Sequence, residues 1–332
     1  MREPQFWWRK PGVAAALLSP LAAGYGAIAA GRMARSGVAA ALPVICVGNF
    51  TLGGSGKTPT AIALARILTA AGLQPALLSR GYGGRLAGPL RVDPHRHHAS
   101  EVGDEALLLA RAAPTIVARD RVAGAQAAQA AGANVIVMDD GLQNPSLIKS
   151  FTIAVVDGRR GIGNGRVFPA GPLRAPLAAQ LAKTDVLLMV GENSGAADLL
   201  AAAAARGLPV FHGRLQPDRA AVAALAGRKV LAFAGIGDPQ KFFATAATAG
   251  LSAPVCKTFA DHHPYTGEEA AWLIMQAEHD GLELLTTEKD RARMGGEPQL
   301  AALASRAHVL PVTLAVEDEA GLRERVLAAA RR

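Results

Sequence analysis

The stretch Val44-Ile-Cys-Val-Gly-Asn-Phe-Thr-Leu-Gly-Gly-Ser-Gly-Lys-Thr-Pro-Thr60 decides how the rest of the chain is read. Val44–Phe50 reads as an apolar strand, Thr51–Thr58 as a loop and Thr60–Ala70 as a helix, which is the context a phosphate-binding loop requires. Gly53, Gly54 and Gly56 let backbone N–H groups approach phosphate oxygens, and the helix N-terminus adds partial positive charge. Lys57 has the reach to meet the β and γ phosphates, and the Thr58 hydroxyl can ligate magnesium. The nucleotide-binding candidates are therefore Thr51, Leu52, Gly53, Gly54, Ser55, Gly56, Lys57 and Thr58. The usual pattern opens on glycine five residues before the Gly-Lys pair, where this chain has Thr51.

Outward from this loop, short β-rich apolar runs alternate with Ala-rich helical stretches, the pattern of parallel strands joined by crossover helices. Candidate strands are Val44–Phe50, Pro75–Ser79, Thr115–Ala118, Asn134–Asp139, Thr152–Asp157, Asp185–Val190, Lys229–Ala234, Leu282–Thr287 and Val309–Leu314. Many lack alternation, as strands buried on both faces do. Glycines and prolines between Gly158 and Pro176 predict a long loop near the active site. A polar stretch with Pro209 and Pro217 marks a boundary around Gly207–Pro217. The expected fold is α/β, a P-loop NTPase-like doubly wound parallel sheet with a second, smaller α/β domain and an N-terminal membrane-anchoring helix. The expected units are residues 1–36 for the anchor, 37–210 for the nucleotide-binding domain and 211–332 for a domain closing the active-site cleft.

The anchor rests on the 21 uncharged residues Pro11–Gly31, which as a helix span about 31 Å, close to a bilayer's hydrocarbon thickness. Trp7 and Trp8 precede them, with Arg9 and Lys10 at one end and Arg32 and Arg35 at the other, as in an interfacial anchor. The run is mostly Ala and Gly with Pro20 in its middle, so a span and a helix lying on the surface both fit. Over the 332 residues, half are hydrophobic and 19% charged, which excludes a disordered chain. A formal charge of +8 favours anionic surroundings. Aromatics are only 5% and basic residues are dispersed, against a nucleic-acid partner. Cys46 and Cys256, far apart in apolar runs, argue against a disulfide framework or a thiolate metal site.

Val135-Ile-Val-Met-Asp-Asp-Gly-Leu-Gln143 is a buried strand ending in two carboxylates, where the magnesium-holding acid of a phosphate-loop enzyme is found. Asp139 and Asp140 are metal candidates, although adjacent strand residues point to opposite faces unless the strand has ended. Asp104 and Glu105 open an apolar helix, where they serve either as dipole-favoured caps or as the acceptor of a hydroxyl proton. Asp261-His262-His263 concentrates ionisable groups on a loop, and Thr286-Thr-Glu-Lys-Asp290 lies at a strand's carboxyl end, where ligands bind in open α/β sheets. Glu288 and Lys289 equally fit a surface ion pair.

Taken together, Gly48–Pro59, Ser79-Arg-Gly-Tyr-Gly83, Gly103-Asp-Glu105, Asp139-Asp-Gly-Leu-Gln143, Pro169-Ala-Gly-Pro-Leu-Arg174, Asp261-His-His263 and Thr286-Thr-Glu-Lys-Asp290 resemble the tetraacyldisaccharide 4′-kinases, from the N-terminal anchor to about residue 293. The resemblance implies transfer of the ATP γ-phosphoryl group, with Mg2+, to the 4′-hydroxyl of a tetraacylated glucosamine disaccharide 1-phosphate at the cytoplasmic face of the bacterial inner membrane. It places the proton-accepting acid on Asp104, its partner histidine on His262 and the magnesium carboxylates on Asp139 and Asp140. The implied partners are the lipid substrate and the membrane surface, with no nucleic acid and no obligate protein. His262 lies in the second half, so competence would depend on domain closure. Arg80, Arg119, Arg121, Arg159 and Arg174 are candidates for the substrate's 1-phosphate. The alternative function is a membrane-associated P-loop ATPase switch without a lipid acceptor.

Overall fold

The computed structural model describes residues 3–331, so Met1, Arg2 and Arg332 of the expected terminal units lie outside the described residues. The strands are β1 (Val44–Gly48), β2 (Pro75–Ser79), β3 (Leu90–Arg91), β4 (Thr115–Val117), β5 (Val135–Asp139), β6 (Phe151–Asp157), β7 (Val186–Val190), β8 (Val210–Pro217), β9 (Lys229–Ala234), β10 (Ser252–Thr258), β11 (Glu283–Thr286), β12 (His308–Val309) and β13 (Val312–Val316). Among the described residues nine form one sheet in the order β13-β8-β7-β6-β1-β5-β2-β4-β3, and four form a second in the order β10-β9-β11-β12. Every pairing from β8 through β4 is parallel, and the two edges, β13 on β8 and β3 on β4, are antiparallel. The small sheet is parallel throughout.

The unalternating strands have the predicted cause. Ile45 and Val47 of β1 join a core with Leu64 and Leu68 of the Lys57–Ala70 helix, while Val44 and Cys46 join another with Ala125 and Ala128 on the opposite face. Helices cover both faces, so period-two polarity has no place to appear. Cys46 is fully buried and its thiol is pushed up to about 12 by desolvation, which leaves it an inert packing group. Both cysteines are free.

Three sequence readings change. The expected boundary at Gly207–Pro217 is β8, a strand of the large sheet, with Phe211 buried in its core and Pro217 at its last position, where a ladder tolerates proline. Val309–Leu314 is two strands in different sheets, split by Pro311, which has no N–H to continue a ladder. Strand β10, which is not among the candidate strands, is the half-exposed edge of the small sheet, and its register shifts between Ser252 and Val255, around Pro254. The unit drawn at 211–332 is accordingly smaller: β13 and the Glu319–Ala330 helix return to the large sheet, where Leu322 and Val326 enter its core. The 158–176 segment forms no helix and no strand, as expected.

The Val13–Met33 helix presents small residues to the protein and large ones outward. Ala15, Ala22, Gly26 and Met33 are buried, whereas Val13, Leu17, Leu21 and Ile28 are exposed, Leu17 at 75%. At Gly26 a Cβ would lie 3.5 Å from Pro176, an ordinary van der Waals distance, so the helix seats closely on the 158–176 segment there. Trp7 and Tyr25 both pack edge-on against Phe168, and the Trp7 indole donates to the Pro169 carbonyl at 3.0 Å.

Candidate active site

Strand β1 ends at Gly48, and the chain turns through Asn49–Gly56 into the Lys57–Ala70 helix. Gly53 and Gly56 have φ of 95° and 97°, a conformation that a side chain disfavours, which explains glycine at both. Two features hold the loop that sequence reasoning gave no role. Asn49, fully buried, donates to the Thr51 carbonyl at 2.7 Å. The 158–176 segment bonds to the loop directly: Leu52 N–H donates to the Pro172 carbonyl, and Arg174 Nε donates to the Thr51 carbonyl at 3.0 Å. The Thr51–Leu173 bridge belongs to the same contact, so this chain braces the loop's first position through its backbone.

Register Val47↔Asp139 brings the carboxyl end of β5 beside that of β1, and so the two aspartates beside Lys57. The strand ends at Asp139, and Asp140 follows with φ 52°. That left-handed turn removes the opposite-face objection: both carboxylates reach the cavity. Asp140 accepts from Arg174 at 2.6 Å and lies 3.7 Å from Lys57, and these cations outweigh its burial and hold its carboxyl well below the usual range. Asp139 is the opposite case. Desolvation, together with the charges of Glu105 and Asp140, pushes it up to about 7, and its buried Oδ1 has no hydrogen-bond partner.

The Asp104–Ala112 helix puts Asp104, 3% exposed, opposite the small sheet. Its Oδ2 lies 3.3 Å from His262 Nδ1 and accepts from Arg293 Nε at 2.8 Å. Burial raises Asp104, but the hydrogen bond from His262 and the charges of Lys289 and Arg293 outweigh it and hold the acid well below its ordinary value. His262 is raised, chiefly by its hydrogen bond to Asp104. Of the two consecutive histidines only His262 faces this carboxylate, while His263 pairs with Glu269 at 2.8 Å and stacks on Phe259. Lys289 is no surface partner of Glu288: it meets Glu105 at 2.6 Å.

The His262–Asp104 pair has a pH signature. The raised histidine contributes stability that is full below its ordinary value of 6.5 and is lost as pH rises through the folded value, while the lowered acid contributes above its ordinary 3.8. The pair therefore stabilises most between these values. Replacing His262 with Gln should lower stability by roughly 1 kcal/mol at pH 5.5 and by less at pH 9, read from unfolding midpoints at both pH values.

Lys57, Thr58, Asp139, Asp140, Glu105 and His262 line one cavity of about 1390 Å³, whose far wall is Leu18, Tyr25 and Ile28 of the N-terminal helix and Phe168. Arg80, Arg119 and Arg121 also face it, as does Arg174 while paired with Asp140, whereas Arg159 is paired with Asp238 at 2.8 Å. The loop after β9 closes onto the phosphate loop, and a Cβ built on Gly237 would meet the Gly54 backbone nitrogen at 2.9 Å. Gly237→Ala should therefore raise KM for the nucleotide about tenfold with a folded protein, measured by initial rates and circular dichroism.

Among the described residues no three His, Cys, Asp or Glu side chains form a metal cage. Thr58, Asp139 and Asp140 all line the cavity, and oxygens of this kind could serve a cation that also takes phosphate oxygens and water.

The family model described as Tetraacyldisaccharide-1-P 4′-kinase matches residues 14–331. The tetraacyldisaccharide 4′-kinase of Methylobacterium sp. (strain 4-46) is 60% identical over 331 residues, covering 99% of this chain and 98% of the relative. That of Rhodopseudomonas palustris (strain BisA53) is 56% identical over 328 residues, 99% and 96% of the two chains. The crystal structure of LpxK from Aquifex aeolicus in complex with ATP shares the fold with a TM-score of 0.72 at 24% identity, over 95% of this chain and 99% of that one.

Proposed function

Because the chain belongs to the tetraacyldisaccharide-1-P 4′-kinase family and phosphorylates the 4′-hydroxyl of tetraacyldisaccharide 1-phosphate in lipid A biosynthesis, we propose a division of labour among the residues of its cavity. ATP, which the Aquifex aeolicus protein holds in its structure, binds here on the Thr51–Thr58 loop, its phosphates on the glycine N–H groups and Lys57. Asp104 accepts the proton of the attacking hydroxyl, and His262 orients it. Lys57 offsets the charge that develops on the transferring phosphoryl group.

The residues at the end of β5 fit a magnesium ion. Asp139 offers an unpartnered buried oxygen in a nest of negative charge, whereas Asp140 is already engaged by Arg174 and Lys57. Thr58 and Asp139 would hold the ion directly, with Asp140 acting through Arg174 and Lys57. When bound, Mg2+ would neutralise phosphate charge.

The observation that carries this reading is the continuity of one cavity from the phosphate loop to the N-terminal helix. A nucleotide and a lipid fit in the same space, whose wall includes His262 with Asp104 behind it. The outward face of that helix, with Val13, Leu17, Leu21 and Ile28 exposed, suits the acyl boundary of the inner membrane's cytoplasmic leaflet. Because its other face is committed to the protein, the helix lies in the interface rather than crossing alone. The switch alternative has no use for the acceptor end of this cavity.

The test is phosphoryl transfer from γ-labelled ATP to tetraacyldisaccharide 1-phosphate in mixed micelles. Labelled lipid is expected, with little phosphate released when the lipid is withheld. Free phosphate without labelled lipid would return the reading to the ATPase switch.

A further inference from the structure

The Thr286–Asp290 segment has no role in the chemistry above, yet it builds the most buried ionic network in the molecule's second sheet. Asp290 is fully buried, and its Oδ1 accepts from Gly235 N–H at 2.9 Å, Tyr265 Oη at 2.7 Å and Arg293 Nη1 at 3.1 Å. Its Oδ2 accepts from Thr287 Oγ1 at 2.6 Å. One carboxylate thus ties the end of β9, the 261–266 loop and the Glu288–Met294 helix together. Nothing about it is free to react, and Tyr265 is raised far above its ordinary value by burial and by Asp290.

What this network holds in place is Arg293. Its side chain is 8% exposed, its fork is split between Asp290 and Asp104, and Lys289, one turn earlier, reaches Glu105. The consequence shows in the lone pairs of Asp104. Oδ2 accepts from Arg293 Nε at 2.8 Å and lies 3.3 Å from His262 Nδ1, while Oδ1 accepts only from Glu105 N–H at 2.8 Å. Oδ1 is therefore the less engaged oxygen, with room for a further donor.

We propose that Arg293, held by Asp290, is a positioning residue that fills Oδ2 of Asp104 together with His262 and so directs Oδ1 at the acceptor hydroxyl. The proposal rests on Asp104 being the proton acceptor. As the substrate oxygen bonds to the γ-phosphorus, its O–H proton passes to Oδ1 and the bond from phosphorus to the β,γ-bridging oxygen breaks, its electron pair leaving with ADP. Arg293 takes no proton and touches no substrate. Its ion pair with Asp104, beside that of Lys289 with Glu105, joins the small sheet's side to the large one, so the acid is aimed only when the two are docked.

The experiment compares wild type, Asp104→Ala, Arg293→Gln, Arg293→Lys, Asp290→Asn and the double variant Asp104→Ala/Arg293→Gln in the lipid phosphorylation assay, with unfolding midpoints for each. Arg293→Gln should lower kcat about 100-fold with KM for ATP within a few-fold of wild type, and Arg293→Lys and Asp290→Asn should fall between. Arg293 should add nothing once Asp104 is gone, so the double variant should match Asp104→Ala. Arg293→Ala should regain turnover with millimolar guanidinium and not with ammonium, a response that loss of packing alone does not give. Wild-type turnover in Arg293→Gln, or a further loss in the double variant, overturns the proposal. If Arg293→Gln does not fold, Arg293→Lys decides: unchanged kcat overturns, and reduced kcat at unchanged KM supports. Retained turnover in Asp104→Ala would instead overturn the base assignment itself.

Discussion

Asp104→Ala is expected to reduce phosphoryl transfer to the lipid by about 10³-fold while ATP binding stays near that of the wild type. The acid lies at the start of its helix, 3% exposed and engaged by His262 and Arg293 rather than by the glycine-rich loop, so its loss leaves the phosphate contacts in place. Its cationic neighbours keep it ionised at neutral pH, ready to receive a proton. Alanine also strands Arg293 in a buried site, which lowers stability, so the assay must be paired with an unfolding curve. His262→Ala should lower kcat less, by about 10²-fold, again with little change in ATP affinity, because the histidine orients rather than accepts. A fall in ATP affinity equal to the fall in turnover would assign both residues to nucleotide binding instead.

Lys57→Ala should be as damaging by a different route, lowering kcat/KM by about 10³-fold with ATP affinity and turnover both falling. Lys57 is 9% exposed at the first position of its helix, and its charge is shared with Asp140 at 3.7 Å. Removing it takes from the two adjacent carboxylates, Asp139 and Asp140, a cation that Arg174 and Arg121 do not replace at the phosphate loop. Lys57→Arg should recover little, since a planar fork does not replace a point charge in a tight loop. ATP binding by isothermal titration and turnover in micelles separate the two effects. An affinity unchanged from wild type would mean that the lysine acts in the transition state alone.

The sequence by itself determined the phosphate loop, the two acids that end β5 and most of the buried strands, because each is written locally. Glycine spacing, the Gly-Lys-Thr string and unbroken apolar runs depend on neighbours in the chain, and these determine a strand–loop–helix without reference to anything distant. The resemblance extended that reading to Asp104 and His262. What the local pattern misplaced were the segments whose partners are remote. Strand β8 looked like a linker because its two prolines sit at its ends, and β13 looked like part of β12 because only pairing with β8 sends it to the other sheet.

The tertiary structure alone decided which charges meet. Asp139 and Asp140 are adjacent in sequence and alike in chemistry, yet the left-handed turn at Asp140 gives one to Arg174 and leaves the other an unpartnered oxygen. Lys289 equally fits a surface pair with Glu288, and Arg293 carries no local signal, until the docking of the two sheets sets them against Glu105 and Asp104, 184 and 189 residues away along the chain. Ion pairs of this kind follow from burial and approach, and a string of residues carries no record of either until the chain has folded.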